Sequence, residues 1–184
     1  MPTFEPVLLA NVGKPDSHTL KVYEAAGGYQ TLRRVLQEMA PKEVVDRIRA
    51  SQLRGRGGAG FPTGLKWSFL PKDDPGPIYL CANADESEPG TFCNRVQMEH
   101  DPHQILEGII LACYATGASA AYIYLRYEYP LAYERLQQAV EECYRAGYLG
   151  RNILGSDMSL DIYIHRGAGA YICGEETGLI ESIE

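Results

Sequence analysis

Residues 102–125 read PHQILEGIILACYATGASAAYIYL and join a helix to a strand through a turn. The first part predicts a helix with one apolar face, because Ile105, Ile109 and Cys113 recur at helical spacing. The middle four residues, TGAS, are typical of a turn. The last six, AAYIYL, predict a buried strand. A helix that leads directly into a strand is the repeating unit of α/β proteins.

The same stretch contains 18 consecutive uncharged residues, from Gly108 to Leu125, which is the lower limit for a membrane-spanning helix. The turn at its centre would interrupt such a helix. We therefore expect a buried helix and a buried strand here rather than a membrane span.

Outward from this stretch, helical and strand patterns alternate. Helices are predicted at 19–26, 29–39, 41–53, 65–70, 130–146 and from about 174, and strands at 77–82 and 160–165. The alternation predicts an α/β fold with a mostly parallel sheet and flanking helices, preceded by a helical segment. We expect residues 1–18 to form an extended arm and residues 19–184 to form one domain. Because the last helix reaches Glu184 without a cap, we expect the domain to be incomplete at its C-terminus.

The composition is that of a globular protein, with 45% hydrophobic and 22% charged residues among 184. The net charge of −7 argues against a general nucleic-acid binder, which needs a basic surface. The first residues carry no secretory signal pattern. The five cysteines are widely spaced and include no C-x-x-C pair, so the sequence predicts reduced thiols rather than disulfides or a metal site.

The first candidate site is GRGGAG at 55–60, which matches the pattern G-x-G-x-x-G. The preceding residues are predicted to be helical, which argues against an ordinary Rossmann phosphate turn. Four glycines in six residues still allow the backbone to approach a ligand. Cations and rings surround them, so the loop predicts a nucleotide or flavin site, the alternative being a mobile surface loop. The cations are Arg54, Arg56 and Lys66, and the rings are Phe61, Trp67 and Phe69.

The second candidate site is NADESEPG at 83–90, which directly follows a predicted strand. Open α/β sheets bind ligands at this position. Its three carboxylates, an amide and a hydroxyl could bind hydroxyl and ring N–H groups of a ligand. A general acid/base pair and a solvated acidic turn remain as alternatives.

The third candidate site is RGAGAYICGEET at 166–177, between a strand and a helix. Glu175 and Glu176 could simply cap that helix. Three glycines exceed what a cap needs, and Tyr171 could lie on a ring. Together, the three loops predict that three strand ends with polar, glycine-bearing loops converge on one edge of the sheet.

The histidines and Cys173 give weaker evidence about function than the three loops. The four histidines share no metal-like spacing, and Cys173 has no histidine near it in sequence. We predict a packed thiol at Cys173, no metal site and no catalytic protein residue.

Three motifs together resemble one family, namely GRGGAGFPTGLKWSF at 55–69, NADESEPGTF at 83–92 and HRGAGAYICGEET at 165–177. This family is the NADH-binding flavoprotein subunit, known as the F subunit, of bacterial respiratory complex I (NADH:quinone oxidoreductase). Diaphorase subunits of NAD-dependent hydrogenases and formate dehydrogenases share the motifs. The resemblance covers most of residues 19–184 and implies a Rossmann-like domain that binds FMN and NADH.

The resemblance also implies roles for individual residues. The nucleotide loop would consist of Gly55, Arg56, Gly57, Gly58, Ala59, Gly60, Phe61, Pro62, Thr63 and Gly64. Lys66 would lie near the flavin, and Phe61 and Phe69 would stack on the adenine of NADH. The FMN contacts would be Asn83, Asp85, Glu86, Ser87, Tyr171, Gly174 and Glu175, with Glu88 and Glu176 nearer NADH.

The implied chemistry is hydride transfer from NADH to FMN, which the cofactors perform, with preference for NADH over NADPH. Onward one-electron transfer would use iron–sulfur centres and quinone, and a [4Fe-4S] cluster would lie only in a missing C-terminal part. The implied partners are other peripheral-arm subunits, especially the thioredoxin-like iron–sulfur subunit. The implied location is cytoplasmic, on the inner face of the membrane. No direct membrane insertion and no nucleic-acid partner are implied.

Three residues at two places depart from the family pattern. The usual Lys-Asp after the second motif is replaced by Cys93-Asn94, and a usual glycine is replaced by Tyr127. Three functional hypotheses remain open. They are the complex I subunit, the same module in a soluble hydrogenase or formate dehydrogenase, and a non-catalytic nucleotide-binding module.

Overall fold

The computed structural model describes residues 5–71 and 76–184. Their sheet has three parallel strands in the order β1 (Tyr79–Ala84), β2 (Ala120–Leu125), β3 (Asp161–Arg166). Tyr79 lies opposite Ala120, which lies opposite Asp161, so the carboxyl ends of the strands are level. The predicted Rossmann-like α/β fold with a parallel sheet and flanking helices is confirmed.

Helices precede and flank the sheet. In the described part of the chain they are α1 (Leu20–Ala25), α2 (Gln30–Glu38), α3 (Pro41–Ala50), α4 (Thr63–Trp67), α5 (Cys93–His100), α6 (Pro102–Thr116), α7 (Pro130–Ala146) and α8 (Glu176–Ile183). The helices α1 to α3 form the predicted N-terminal helical segment. All three contact α6, and α1 also contacts α7.

The bounds of α6 and α7 follow from local end signals. Each helix begins with a proline at its first position, where the missing N–H group is not needed. Each ends at a glycine with a left-handed backbone, Gly117 with φ 76° and Gly147 with φ 77°. Because these signals lie in the sequence itself, both helices match their predicted bounds.

The core lies between the sheet and the two long helices. Ala121, Ile123 and Leu125 of the central strand are buried together with Leu106 of α6 and Leu136 of α7. The helix α6 is covered on several sides, because it also contacts α2 and α3. Burial of most side chains of α6 and β2 accounts for the absence of charge between residues 108 and 125. Over residues 5–71 and 76–184, no helix is long and apolar enough to cross a membrane.

The N-terminal segment is turned rather than extended. Residues 7–19 form consecutive turns and bends, and residues 1–4 of the predicted arm lie outside the described residues. Asn11 is buried, and its side-chain amide donates a hydrogen bond of 2.8 Å to Oδ2 of Asp101. This contact holds the segment against the start of α6, which local sequence could not indicate. The boundary at residue 18 stays a prediction.

The helix α5 was not predicted from the sequence. It has few apolar residues, and Met98 is its buried side chain. Its first N–H groups are satisfied by the carboxylate of Glu86, seven residues before the helix begins. A cap that comes from outside the helix leaves no local signal at the helix start.

Candidate functional site

Three loops surround a cleft of about 710 Å³ at the carboxyl edge of the sheet. One loop follows β1, one follows β3, and the third is the glycine-rich loop between α3 and α4. The predicted convergence is therefore found, but only two of the loops follow strands. The cleft is lined by Arg56, Gly57, Gly58, Asn83, Asp85, Glu86, Ser87, Glu88, Thr91, Cys93, Asn94, Tyr171, Ile172, Gly174 and Glu175.

Asn83 joins the two loops that follow strands. Its side-chain Nδ2 donates a hydrogen bond of 2.7 Å to the main-chain oxygen of Gly174. Its Oδ1 accepts one of 3.0 Å from the main-chain N–H of Asp85. The amide therefore holds both walls of the cleft at the end of β1, where strand geometry places it.

Asp85 supplies a buried acceptor to the cleft. Its side chain is 9% exposed, and Oδ1 accepts a hydrogen bond of 2.8 Å from the Ser87 hydroxyl. Its Oδ2 is buried and has no hydrogen-bond partner among residues 5–71 and 76–184. Because a buried acceptor without a donor is costly, this oxygen suits a ligand that brings an N–H or O–H group.

The carboxylate of Glu86 faces α5. Its Oε1 accepts from the main-chain N–H of Asn94 at 2.8 Å, and Oε2 accepts from that of Arg95 at 3.0 Å. The thiol of Cys93 donates to Oε1 at 3.1 Å. Glu86 lines the cleft, but its carboxylate already caps a helix in this structure.

The loop after β3 places an aromatic ring and a helix start at the cleft. The Tyr171 hydroxyl donates a hydrogen bond of 2.7 Å to Glu88 Oε2, which joins this loop to the loop after β1. Glu175 caps α8 by accepting from the main-chain N–H groups of Thr177 and Gly178 at 3.0 and 3.1 Å. Hydrogen bonds from the Thr177 hydroxyl and these N–H groups hold the pKa of Glu175 below its usual range. Glu175 therefore caps α8 in this structure, as one of the two interpretations of this loop predicted.

The glycine-rich loop forms a short hairpin. Gly55 donates its main-chain N–H to the oxygen of Phe61 at 2.9 Å, and Arg54 bridges to Pro62. Gly58 has φ 143° and Gly60 has φ 65°, backbone conformations that favour glycine. Since the loop follows a helix rather than a strand, the literal G-x-G-x-x-G match is not a Rossmann phosphate turn here.

Some predicted site residues lie beside the cleft rather than in its wall. Nζ of Lys66 in α4 lies 3.9 Å from Oε2 of Glu176 in α8, and both side chains are largely exposed. Phe61 and Phe69 are exposed, with ring centroids 6.1 Å apart. The predicted residues outside the lining are Gly55, Ala59, Gly60, Phe61, Pro62, Thr63, Gly64, Lys66, Phe69 and Glu176.

Sequence reasoning missed several residues at the cleft. Thr91, Cys93, Asn94 and Ile172 line it and were not assigned to it. Thr91 and Ile172 lie inside two of the motifs, and Cys93 and Asn94 directly follow the second motif, so a reading of every motif position and its next neighbours would have found them. Elsewhere, Cys173 is buried as expected. In the described ranges, no group of three or more His, Cys, Asp or Glu could hold a metal ion.

Cys93 offers a test of the Glu86 geometry. The hydrogen bond to Glu86, with smaller effects from burial and from the charge of Glu86, raises the pKa of the Cys93 thiol. Less thiolate is then present at pH 8, so alkylation by iodoacetamide is slow. We expect Glu86→Gln to accelerate alkylation of Cys93 by about threefold, measured peptide by peptide with mass spectrometry.

Cys81 is the internal control for this experiment. It is also exposed, and burial alone raises its pKa. Its alkylation rate should be the same in both proteins. Equal rates for Cys93 before and after the substitution would contradict the thiol–carboxylate contact.

The comparison with known families agrees with the geometry. The model of the Nuo51 FMN-binding domain matches residues 48–184. The chain belongs to this family. The family resemblance that the three motifs predicted is therefore confirmed for the Nuo51 FMN-binding domain.

Relatives of this Nuo51 domain include F subunits of NADH-quinone oxidoreductases. The chain is 59% identical over 181 residues to the second F subunit of Rhizobium meliloti (strain 1021), covering 98% of this chain and 43% of the relative. It is 56% identical over 178 residues to the F subunit of Aquifex aeolicus (strain VF5), covering 97% of this chain and 41% of the relative. The chain thus spans about two fifths of the length of these curated relatives.

A solved structure shares the fold. The NAD+-reducing [NiFe]-hydrogenase in its air-oxidized state matches with a TM-score of 0.71 and 37% identity. The match covers 97% of this chain and 28% of the hydrogenase chain. The likeness extends over nearly all of this chain.

Proposed function

We propose that this chain is part of the flavoprotein subunit of an NADH-quinone oxidoreductase and binds FMN and NADH. The observation that carries the proposal is the cleft of about 710 Å³, formed by three loops in a domain that matches an FMN-binding family. In the intact enzyme, the bound cofactors would supply hydride transfer from NADH to FMN and single-electron transfer onward.

The residues of the cleft fit a flavin nucleotide. Oδ2 of Asp85 is a buried acceptor that a ring N–H or a hydroxyl group could satisfy. A Cβ atom added at Gly57 or Gly58 would meet nothing within 4 Å, so the loop backbone is open to a ligand. Arg56 adds a cation there, which suits a phosphate.

The remaining predicted residues would complete the flavin pocket and the NADH site around this cleft. Asn83, Ser87, Tyr171, Gly174 and Glu175 would shape the flavin pocket. Phe61 and Phe69 present exposed rings that could stack on the adenine of NADH. Glu88 and Glu176 would accept hydrogen bonds from ribose hydroxyls and would repel a 2′-phosphate. In this proposal, none of these residues transfers a proton or forms a covalent bond.

The wider setting belongs to the same proposal. The whole protein would assemble with other peripheral-arm subunits, including the thioredoxin-like iron–sulfur subunit. It would lie in the cytoplasm on the inner face of the membrane. Its [4Fe-4S] cluster would be held outside residues 1–184. A diaphorase subunit of an NAD-dependent hydrogenase is the second candidate, favoured by the structural likeness to the NAD+-reducing hydrogenase.

The test is an anaerobic titration of the intact, FMN-loaded protein with NADH. We expect the flavin absorbance to bleach, and kcat/KM to be at least about tenfold higher for NADH than for NADPH, a difference of about 1.4 kcal/mol. An unbleached flavin would favour the non-catalytic nucleotide-binding module. Equal kcat/KM for both nucleotides would count against the roles of Glu88 and Glu176. Co-purifying subunits separate complex I from a hydrogenase.

A further inference from the structure

Glu86 is held from three sides. Its carboxylate caps α5, as described above. Its main-chain oxygen accepts a hydrogen bond from Arg126 Nη1 at 2.5 Å, and the Tyr129 hydroxyl, which lies 3.3 Å from this oxygen and 3.4 Å from Oε2, donates to Glu86. The side chain of Glu86 is 6% exposed. Contacts on both its carboxylate and its main chain therefore fix the position of this residue.

Arg126 reaches Glu86 from the neighbouring strand. It directly follows β2, the strand that pairs with β1, and its main-chain N–H bonds to the oxygen of Ala84 at 3.2 Å. The guanidinium carbon of Arg126 lies 5.4 Å from the ring centroid of Tyr129. Its Nε forms an ion pair with Oε2 of Glu128 at 3.1 Å. The planar fork of arginine can serve the Glu86 oxygen and the Glu128 carboxylate together.

The turn between Asp85 and Ser87 depends on this arrangement. Asp85 and Ser87 flank Glu86 in the chain, and both line the cleft. If the main chain of Glu86 shifted, the Asp85 carboxylate would shift too, because Asp85 is the residue directly before Glu86. Small displacements of a binding group weaken a site out of proportion to their size.

We propose that Arg126 and Glu86 are positioning residues that hold the Asp85–Ser87 turn in place for the ligand of the cleft. Glu86 acts through its main chain and through α5, and its carboxylate does not contact the ligand. Tyr129 supports the same main-chain oxygen. The proposal rests on the proposed FMN site and adds residues outside the three motifs, since Arg126 and Tyr129 lie in none of them.

The experiment compares Arg126→Ala, Arg126→Lys and Glu128→Gln in the intact protein. Arg126→Ala removes the donor to the Glu86 oxygen, and we expect the dissociation constant of FMN to rise about tenfold. Arg126→Lys keeps one cationic donor and should recover most of that loss. Glu128→Gln is the matched control, because it breaks only the exposed ion pair of Arg126 and should leave FMN affinity unchanged.

A second readout works without any cofactor. Hydrogen exchange of the FMN-free protein should be faster over residues 83–90 in Arg126→Ala and unchanged there in Glu128→Gln. If wild-type protein binds no FMN but this exchange pattern appears, the proposed function fails while the positioning role stands. Unchanged exchange over residues 83–90 in Arg126→Ala would overturn the positioning role.

Two further outcomes are decisive. If Arg126→Ala lowers the melting temperature but leaves the FMN dissociation constant within about twofold of wild type, Arg126 only stabilises the fold and the proposal is wrong. If Arg126→Ala does not fold, Tyr129→Phe replaces it, because it removes one donor to the same oxygen and keeps the buried ring. We expect about threefold weaker FMN binding in Tyr129→Phe, and unchanged binding would overturn the proposal.

Discussion

Replacing Glu107 with alanine is expected to lower the free energy of unfolding of this domain by about 3 kcal/mol. Glu107 lies on α6 and is 7% exposed. Its Oε2 accepts hydrogen bonds from the Tyr23 hydroxyl at 2.6 Å and the main-chain N–H of Tyr29 at 2.9 Å. Its Oε1 accepts from the main-chain N–H of Leu32 at 3.1 Å. Alanine would leave three donors without their acceptor in a poorly hydrated position.

The contacts of Glu107 replace a local helix cap. The helix α2 begins after Tyr29, which has a left-handed backbone with φ 59° and no side-chain capping hydrogen bond. Glu107, which lies on another helix, therefore accepts hydrogen bonds from the N–H groups of the N-cap residue Tyr29 and of Leu32 in the first turn of α2. The burial of Glu107 and the start of α2 are coupled, so the substitution should loosen the N-terminal helices from α6.

The measurement is hydrogen exchange over peptides of α2, together with thermal unfolding of the intact protein. Glu107→Ala should accelerate exchange at α2 and lower the melting temperature, and Glu107→Gln should lose less because its oxygen still accepts. Glu141→Gln on α7 is the control, since the Glu141 side chain is 70% exposed and pairs with the equally exposed Arg145. Unchanged exchange at α2 in Glu107→Ala would show that Glu107 does not cap this helix.

Part of the fold could be predicted because its signals are local. Pro102 and Gly117 mark the ends of α6 in the sequence itself, and the strand β2 matches its predicted bounds. The placement of two loops at one cleft follows from parallel strands, whose carboxyl ends share an edge. Those parts of the site needed no long-range information.

The remaining features depend on contacts between distant residues. The start of α5 depends on Glu86, and the turns of the N-terminal segment depend on the contact between Asn11 and Asp101. The orientation of the Glu86 carboxylate illustrates the limit most clearly. Sequence pattern places Glu86 in a ligand-binding motif, but it cannot tell whether a carboxylate faces the cleft or a helix end.

Two glycine substitutions should separate folding from ligand binding. Gly64 lies in α4 where this helix meets α3, and an added Cβ would lie 2.6 Å from the main-chain nitrogen of Arg49 and 2.7 Å from its Cα. Since main-chain atoms cannot rotate away, Gly64→Ala must push the two helices apart. We expect this overpacking to lower the free energy of unfolding by about 2 kcal/mol. Gly108→Ala in α6 is the matched control, because its Cβ would meet nothing within 4 Å.

Gly57→Ala should show the opposite behaviour. Its Cβ would meet nothing within 4 Å, so the fold should keep its stability, yet Gly57 lines the cleft. If the backbone of this loop approaches the flavin nucleotide, a methyl group there occupies part of the ligand's space, and we expect FMN affinity to fall about tenfold. Urea unfolding and FMN titration of both variants check the pair. An unchanged FMN affinity in Gly57→Ala would mean that the glycines serve the hairpin of the loop and not the ligand.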